Sequence, residues 1–264
     1  MAMYNPFLVK ERLRSGERLQ GGWIEAFSPV MTEIMAQAGY DVVMIDLEHG
    51  PGTFMDAVRQ LQIIAAHASA PLIRVPSGDI DVIKKAMDIG PAGLMVPNIR
   101  TAREARDVVA ACRYGPGGVR GAAPALIRAT AYGRHLDRYL DGIEEGFLLI
   151  GQIESAQGVE NIKDIAAVEG LDMLFIGPAD LSASLGALGD FSSEGFVTKF
   201  DALERAVLDA GKWLGCIPFP GWDAERLYRN GHHLVLSGVD TLLLRQAAER
   251  DVADMNGFKD IEKD

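Results

Sequence analysis

Acidic side chains follow three short apolar segments of this chain, at the point where each segment ends. Glu154 closes the segment LLIGQI, Asp180 follows MLFIG, and Asp46, Glu48 and His49 follow VVMI. A carboxylate at the end of a buried strand is costly unless it is paired, hydrogen-bonded or bound to a metal. The repeated pattern predicts a divalent-cation site with a histidine beside it.

The two carboxylates Glu154 and Asp180 are candidate ligands of Mg²⁺ or Mn²⁺, because hard cations prefer oxygen ligands and often keep water or substrate in the remaining positions. The alternative is that such strand-end residues only cap the following helices. His49 fits a general base better than a zinc ligand, because no other histidine is expected at the same end of the strands. The other histidines are His67, His135, His232 and His233.

Lysine is absent from every predicted strand end. The eight lysines lie in helices, at the start of a strand or near the termini. A Schiff-base mechanism therefore lacks its nucleophile, and carbonyl chemistry would need a metal as the electron sink.

Three further charged residues are candidates for the same site. Arg74 closes the segment PLIR, and Arg128 lies in the glycine-rich loop RYGPGGVRGAAPALIRAT. Arg128 could bind a substrate carboxylate, or the loop could be a structural turn. Asp88 falls in the last turn of a predicted helix, where the helix dipole disfavours an acid. It is either a solvated surface residue or the partner that orients a histidine.

Short β-rich segments alternate with helical patterns along the whole chain, which predicts parallel strands joined by crossover helices. Eight such units in about 250 residues are typical of a (β/α)8 TIM barrel. A doubly wound open sheet is the alternative, but no GxGxxG loop follows the first strand. The predicted strands are 21–25, 41–45, 71–75, 92–97, 147–153, 172–177, 212–217 and 233–238.

Composition limits the class of partner. The 264 residues carry a formal charge of −11, so nucleic acid is not an expected partner. Two cysteines give no disulfide framework and fit a reducing cytoplasm. No apolar segment reaches the roughly 18 residues of a membrane span, and no signal peptide is expected at the N-terminus. We therefore predict a cytoplasmic protein that acts on small molecules.

Seven motifs in order across nearly the whole chain resemble the HpcH/HpaI aldolase family. They are GGW, AGYDVVMIDLEHGP, PLIRVP, RYGPGGVRG, GQIESAQGVENI, LFIGPADLSASLG and SGVDTLLL. The resemblance implies a barrel of the phosphoenolpyruvate/pyruvate type spanning residues 1–264. It also implies a class II aldolase that uses pyruvate and a divalent cation, Mg²⁺, Mn²⁺ or Co²⁺.

The resemblance assigns roles around the carbonyl. Glu154 and Asp180 match the metal ligands, and Arg74 matches the arginine that binds the pyruvate oxygens. Gln152 lies beside the metal, and the backbone at Ala179 and Asp180 meets the pyruvate carboxylate.

It also assigns roles around the leaving aldehyde. His49 matches the base and Asp88 its carboxylate partner, while Asp46 and Glu48 match acidic residues behind the site. Arg128 matches a residue that contacts the far end of the aldehyde. The family further implies a homohexamer, a trimer of dimers, whose C-terminal helices (here about 240–255) are exchanged between subunits.

The expected reaction is the reversible cleavage of a 4-hydroxy-2-oxo acid, a 2-keto-3-deoxy sugar acid or 4-hydroxy-2-oxo diacid, to pyruvate and an aldehyde. One segment, CIPFPGWDAERLYRNGHH, departs from the family pattern in a loop that shapes the aldehyde side. The alternatives are an oxaloacetate decarboxylase or related carbon–carbon lyase, and a non-catalytic barrel that binds 2-oxo acids.

Overall fold

Eight parallel strands pair in chain order, and the eighth pairs with the first, so the sheet closes into a barrel. This computed structural model, which describes residues 7–257, confirms the (β/α)8 prediction and excludes the open sheet. Every predicted strand boundary lies within two residues of the observed one. The strands are β1 (Leu19–Ile24), β2 (Val42–Asp46), β3 (Ala70–Arg74), β4 (Gly93–Val96), β5 (Leu148–Ile153), β6 (Met173–Ile176), β7 (Trp213–Cys216) and β8 (Leu234–Val239).

The helices pack around the barrel. The first part of the chain contributes α1 (Leu8–Arg14), α2 (Pro29–Gln37), α3 (Phe54–Ile64), α4 (Ile80–Ile89), α5 (Ala102–Cys112) and a 3₁₀ turn (Arg128–Thr130). The second part contributes α6 (Leu136–Gly146), α7 (Ala156–Glu160), α8 (Ile162–Ala166), α9 (Pro178–Ser184), α10 (Glu194–Asp209), α11 (Ala224–Arg229) and α12 (Asp240–Gly257). The ends of the predicted domain, 1–6 and 258–264, lie outside the described residues.

Side chains cap the starts of α3 and α5 in two different ways. Thr53 and Asp56 form a complete capping box at α3, in which each side chain accepts a backbone N–H of the other residue. Thr101 caps α5 by accepting the N–H of Glu104. The Glu104 carboxylate accepts the N–H of Arg100 at 2.7 Å and not that of Thr101, so this cap is not a complete capping box.

Strand residues divide between two cores because successive side chains point to opposite faces. Inward residues such as Trp23, Met44 and Phe175 fill the barrel, and Trp23 meets Phe175 edge-to-face with ring centroids 6.3 Å apart. Outward residues such as Ile45 and Val235 pack under the helices. The barrel is therefore a packed core that opens only at its mouth.

One irregularity interrupts the barrel between β8 and β1. Gly21 pairs with Leu236, but the next residue, Gly22, pairs with Gly238, so Ser237 is left over as a bulge. Bulges of this kind are rare between parallel strands and are over-represented beside active sites, where they re-aim a side chain.

Two lysines are used at the N-terminal end of the barrel. Lys10 lies 2.8 Å from Asp172 in a buried ion pair. Lys212 donates to the carbonyls of Val168 and Leu171 at 2.9 and 2.6 Å. Both therefore hold the base of the fold, away from the strand ends that carry the acidic residues.

The last described helix, α12, covers little of the barrel. Only Asp240, its first residue, is buried. Its exposed apolar side chains are Leu242, Leu243, Leu244, Val252 and Met255. None of the helices within residues 7–257 is both long and apolar enough to cross a membrane.

Candidate active site

The predicted site residues that follow β2, β3, β5 and β6 meet at one mouth of the barrel. His49, Arg74, Gln152 and Asp180 line a cavity of about 300 Å³, and Glu154 lies behind this lining against Gln152. Active sites of these barrels lie at this end, where the strands finish. The polar lining residues are Glu25, His49, Arg74, Gln152, Asp180 and Ser237. No lysine lines this cavity among the described residues, in agreement with the absence of a Schiff-base nucleophile.

Arg74 is fixed on the floor of this cavity by two carboxylates and a ring. The fully buried carboxylate of Asp46 accepts hydrogen bonds from Arg74 Nε at 2.9 Å and Nη2 at 2.5 Å, which form a bidentate pair. Glu48 Oε2 lies 3.1 Å from Nη1, but without hydrogen-bond geometry, so this is a charge contact. The guanidinium carbon lies 4.5 Å from the centroid of Trp23, within the range of a cation–π contact.

This arrangement leaves part of the guanidinium available. Arg74 has five N–H donors in a rigid fork. Asp46 takes two of them and Glu48 faces a third, so two are left for a ligand. A planar donor held in this way suits a carboxylate or keto oxygen.

Glu154 is the most perturbed acid of the site. It is 7% exposed and accepts a hydrogen bond from the Gln152 amide. Burial, followed by the negative charges of Glu48 and Asp180, raises the pKa of Glu154 to about 7, although Arg74 opposes this shift. Burial also raises the pKa of Glu48. Three mutually repelling carboxylates beside one arginine are an environment that a cation would stabilise.

The residues present fit a divalent cation. Within residues 7–257 no three His, Cys, Asp or Glu side chains converge on one point. Asp180 lies near enough for its charge to raise the pKa of Glu154, so these two carboxylates are the candidate pair. Mg²⁺ is often held by one or two carboxylates, with water and substrate completing its shell. Gln152 Oε1 is buried and has no partner in the described chain. A buried polar atom without a hydrogen-bond partner is expected where a ligand binds.

Two backbone features that the sequence analysis missed shape the Glu154 environment. Asn98 adopts a left-handed conformation with φ of 52°, and its backbone N–H donates to the Glu154 carboxylate. Non-glycine residues in this region often mark functional sites. At Gly177 a Cβ would lie 2.6 Å from Glu154 Oε2 and 2.7 Å from Gln152 Nε2, so only glycine leaves room for this pair.

His49 lies at the rim and is exposed. Its backbone N–H lies 3.4 Å from Asp46 Oδ1, which also accepts the N–H of Glu48 at 3.0 Å. Asp46 therefore orients both Arg74 and the turn that carries His49. This is a more specific role than the sequence indicated for Asp46.

Asp88 does not reach His49 within one chain. It lies at the C-terminal end of α4, five residues before β4 begins, whereas His49 follows the far end of β2. The ten residues of α4 alone span about 15 Å. Asp88 instead accepts from Arg120 Nη2 at 2.8 Å. This buried arginine offsets the unfavourable position of the acid in the helix dipole.

Arg128 is also remote from the cavity within one chain. It donates from Nη1 to the carbonyl of Ile89 at 2.6 Å, at the end of α4. It lines a different cleft, of about 360 Å³, with His135 and Tyr139. A single chain therefore brings together all the predicted site residues except Asp88 and Arg128.

Comparison with known proteins agrees with this geometry. The family model HpcH/HpaI aldolase/citrate lyase matches residues 20–247. The chain belongs to this family. Its fold matches that of an HpcH/HpaI aldolase/citrate lyase family protein from Burkholderia cenocepacia J2315, with a TM-score of 0.89 and 36% identity over 95% of this chain and 99% of the other.

Two HpcH/HpaI relatives carry names that describe their reactions. A hydroxypyruvate/pyruvate aldolase from Delftia acidovorans is 43% identical over 92% of this chain and 90% of its own length. A 2-keto-3-deoxy-L-rhamnonate aldolase from Escherichia coli K12 is 39% identical over 94% and 92%. The predicted family and the prediction of a carbon–carbon lyase are confirmed.

Proposed function

We propose that this chain is a metal-dependent class II aldolase that cleaves a 4-hydroxy-2-oxo acid to pyruvate and an aldehyde, and catalyses the reverse condensation. The observation that carries this proposal is the buried Glu154, with its raised pKa, opposite an Arg74 that Asp46 holds in place. The names of the two aldolase relatives support the same reaction class. Free, buried cysteines fit a cytoplasmic location.

The 2-oxo acid is expected to bind between the carboxylate pair and the arginine. A divalent cation held by Glu154 and Asp180 would supply the positive charge that binds the substrate oxygens and stabilises an enolate. Arg74 donates to the keto oxygen, and Gln152 contributes its amide beside Glu154. The N–H groups of Ala179 and Asp180, in the first turn of α9, have no partner within the helix and suit the substrate carboxylate.

Cleavage requires a base on the aldehyde side of this arrangement. His49 takes the proton from the C4 hydroxyl, and the C4–O electrons form the aldehyde carbonyl as the C3–C4 bond breaks. The bonding pair passes to C3 and the keto oxygen, which gives an enolate that Arg74 stabilises. Protonation at C3 then gives pyruvate. Glu48 takes no part in the proton transfer. Its contact with Arg74 keeps the guanidinium in position.

The roles of Asp88 and Arg128 require a second copy of the chain. Both lie at the end of the barrel opposite to His49, so they can act on the substrate only in a neighbouring subunit. The exposed apolar face of α12 is suited to bury itself against such a neighbour. We therefore propose a homo-oligomer, a hexamer built as a trimer of dimers, with α12 exchanged between subunits.

The direct test is pyruvate release from 4-hydroxy-2-oxo acids by the full-length protein with Mg²⁺, Mn²⁺ or Co²⁺. We expect turnover with at least one cation and its loss in excess chelator. Full activity in chelator would contradict the metal mechanism. Turnover of oxaloacetate without aldol cleavage would favour the decarboxylase alternative. Binding of 2-oxo acids without any turnover would favour a non-catalytic barrel.

Arg128 provides a separate test of the aldehyde side. Arg128→Ala is expected to lower kcat/KM for succinic semialdehyde about 10- to 150-fold, since a charge-assisted hydrogen bond contributes about 1.5–3 kcal/mol. Propionaldehyde, which has no carboxylate, should be affected little. Steady-state kinetics with the two aldehydes compare these effects. Equal losses would show that Arg128 only holds its loop on α4.

A further inference from the structure

The cavity has two sides that differ in chemistry. His49, Arg74, Gln152 and Asp180 come from the ends of β2, β3, β5 and β6, and they surround the reacting carbonyl of the proposed substrate. The remaining arc of the barrel is β7, β8 and β1. Because the barrel is closed, this second arc completes the wall of the cavity, and the carbon next to the aldehyde carbonyl is expected to lie against it.

Most of the second arc is apolar. Its apolar side chains in the cavity are Trp23, Ile217, Pro218, Leu236, Val239 and Leu242. Two polar residues, Ser237 and Glu25, interrupt this wall. Neither belongs to the residues assigned to the reaction.

The bulge of β8 is the reason that Ser237 faces the cavity. Leu234 and Leu236 point into the barrel and Val235 points to the helices. Strict alternation would send Ser237 outward. The extra residue resets the alternation, so Ser237 lines the cavity and is the exposed residue of an otherwise buried strand. The bulge therefore places the Ser237 side chain in the cavity, where it can contact a ligand.

Glu25 is held beside it by the start of α12. Buried Asp240 accepts the N–H of Glu25 at 3.0 Å and that of Ala26 at 3.2 Å. Thr241 Oγ1 donates to Glu25 Oε2 at 3.3 Å. Trp23, next but one to Glu25, pairs with Val239, which places Glu25 just beyond the strand end that adjoins Ser237.

We infer that Ser237 and Glu25 form a hydroxyl-binding pair that selects acceptor aldehydes with a hydroxyl group next to the carbonyl. A hydroxyl is both a donor and an acceptor. It donates to the Glu25 carboxylate and accepts from the Ser237 hydroxyl, while the apolar wall packs against the carbon chain. A site built to bind a hydroxyl discriminates against the analogue that lacks it, because its own polar groups are then left unpaired. This inference rests on the proposed aldolase function.

The test compares glycolaldehyde with acetaldehyde, which differ in this hydroxyl alone, as acceptors for pyruvate. The wild-type enzyme is expected to prefer glycolaldehyde. Ser237→Ala should reduce the ratio of the two kcat/KM values about 3- to 10-fold, and Glu25→Gln should reduce it about 10-fold or more, because one hydrogen bond to a charged group is lost. Ser237→Thr, which keeps the hydroxyl, should retain most of the preference.

The outcomes separate this inference from the proposed function. An active enzyme whose ratio is unchanged in both Ser237→Ala and Glu25→Gln would overturn the hydroxyl-binding pair and leave the aldolase function intact. The variants could instead change the preference for hydroxypyruvate over pyruvate as donor, with no change between the two aldehydes. That result would show that the pair binds the donor and would overturn the acceptor assignment. A wild-type protein that condenses pyruvate with neither aldehyde would contradict both proposals.

Discussion

Glu154→Gln and Asp180→Asn are each expected to lower kcat/KM for aldol cleavage by about 10³-fold or more without unfolding the chain. A bound cation contributes several kcal/mol to such a transition state, and about 1.4 kcal/mol corresponds to one decade in rate. Each substitution removes one carboxylate of the pair but keeps its shape. The measurements are steady-state kinetics and calorimetric titration with Mn²⁺, which should bind more weakly to both variants.

The raised pKa of Glu154 predicts a second effect of Glu154→Gln, on the pH dependence of folding stability in the absence of metal. Its pKa of about 7 in the folded chain exceeds the ordinary value of 4.5. The folded state therefore holds a proton that the unfolded state releases, and stability falls as pH rises from about 4.5 to 7. At 1.36 kcal/mol per pKa unit, the free energy of unfolding falls by about 3 kcal/mol over this range. Glu154→Gln should thus be more stable than wild type at pH 8 and similar at pH 4.5.

Thermal unfolding in chelator at the two pH values measures this difference. Glu160→Gln, which alters an exposed acid on α7, is the matched control and should change neither stability nor activity. Wild-type activity in a Glu154→Gln protein that has lost its metal affinity would contradict the assignment. A variant that is less stable at pH 8 would show that Glu154 is charged and well paired in the folded chain.

His49→Ala is expected to lower aldol cleavage by about 10²- to 10⁴-fold, the usual contribution of a general acid or base. Oxaloacetate decarboxylation should fall much less, because it needs enolate stabilisation by Arg74 but no removal of a hydroxyl proton. Parallel kinetics on the two substrates give the comparison. His67→Ala, in a cleft with Arg12 and Tyr40, is the control. Equal losses in both reactions would assign His49 to the enolate or to the fold.

Local patterns in the sequence predicted the barrel and most of the site. The strands β2, β3 and β5 are short apolar runs that end at or directly before a charged residue, and all parallel strands finish at the same end of a barrel. This is why the sequence alone predicts that Arg74, Glu154 and Asp180 lie together. Their types, acidic or guanidinium, also indicated their chemistry.

Contacts between distant parts of the chain escaped prediction. The partner of Asp88 is Arg120, 32 residues away, and nothing in the sequence near either residue indicates that they meet. The bulge at Ser237 depends on how β8 pairs with β1, at the two ends of the chain. The left-handed turn at Asn98 follows a Pro and carries no glycine, and the preference of asparagine for this conformation is too weak a signal to predict it.

Asp240 links α12, the helix proposed to contact a neighbouring subunit, to Glu25 at the end of β1, which is proposed to bind the aldehyde. One carboxylate fixes the first turn of α12 through Thr241 and the end of β1 through Glu25 and Ala26. A rotation of α12 at a subunit contact would therefore be transmitted to Glu25 through buried Asp240 and through the Thr241 hydroxyl. In an assembled oligomer, quaternary structure and the choice of aldehyde would then be thermodynamically linked, so that acceptor binding and subunit association each alter the strength of the other.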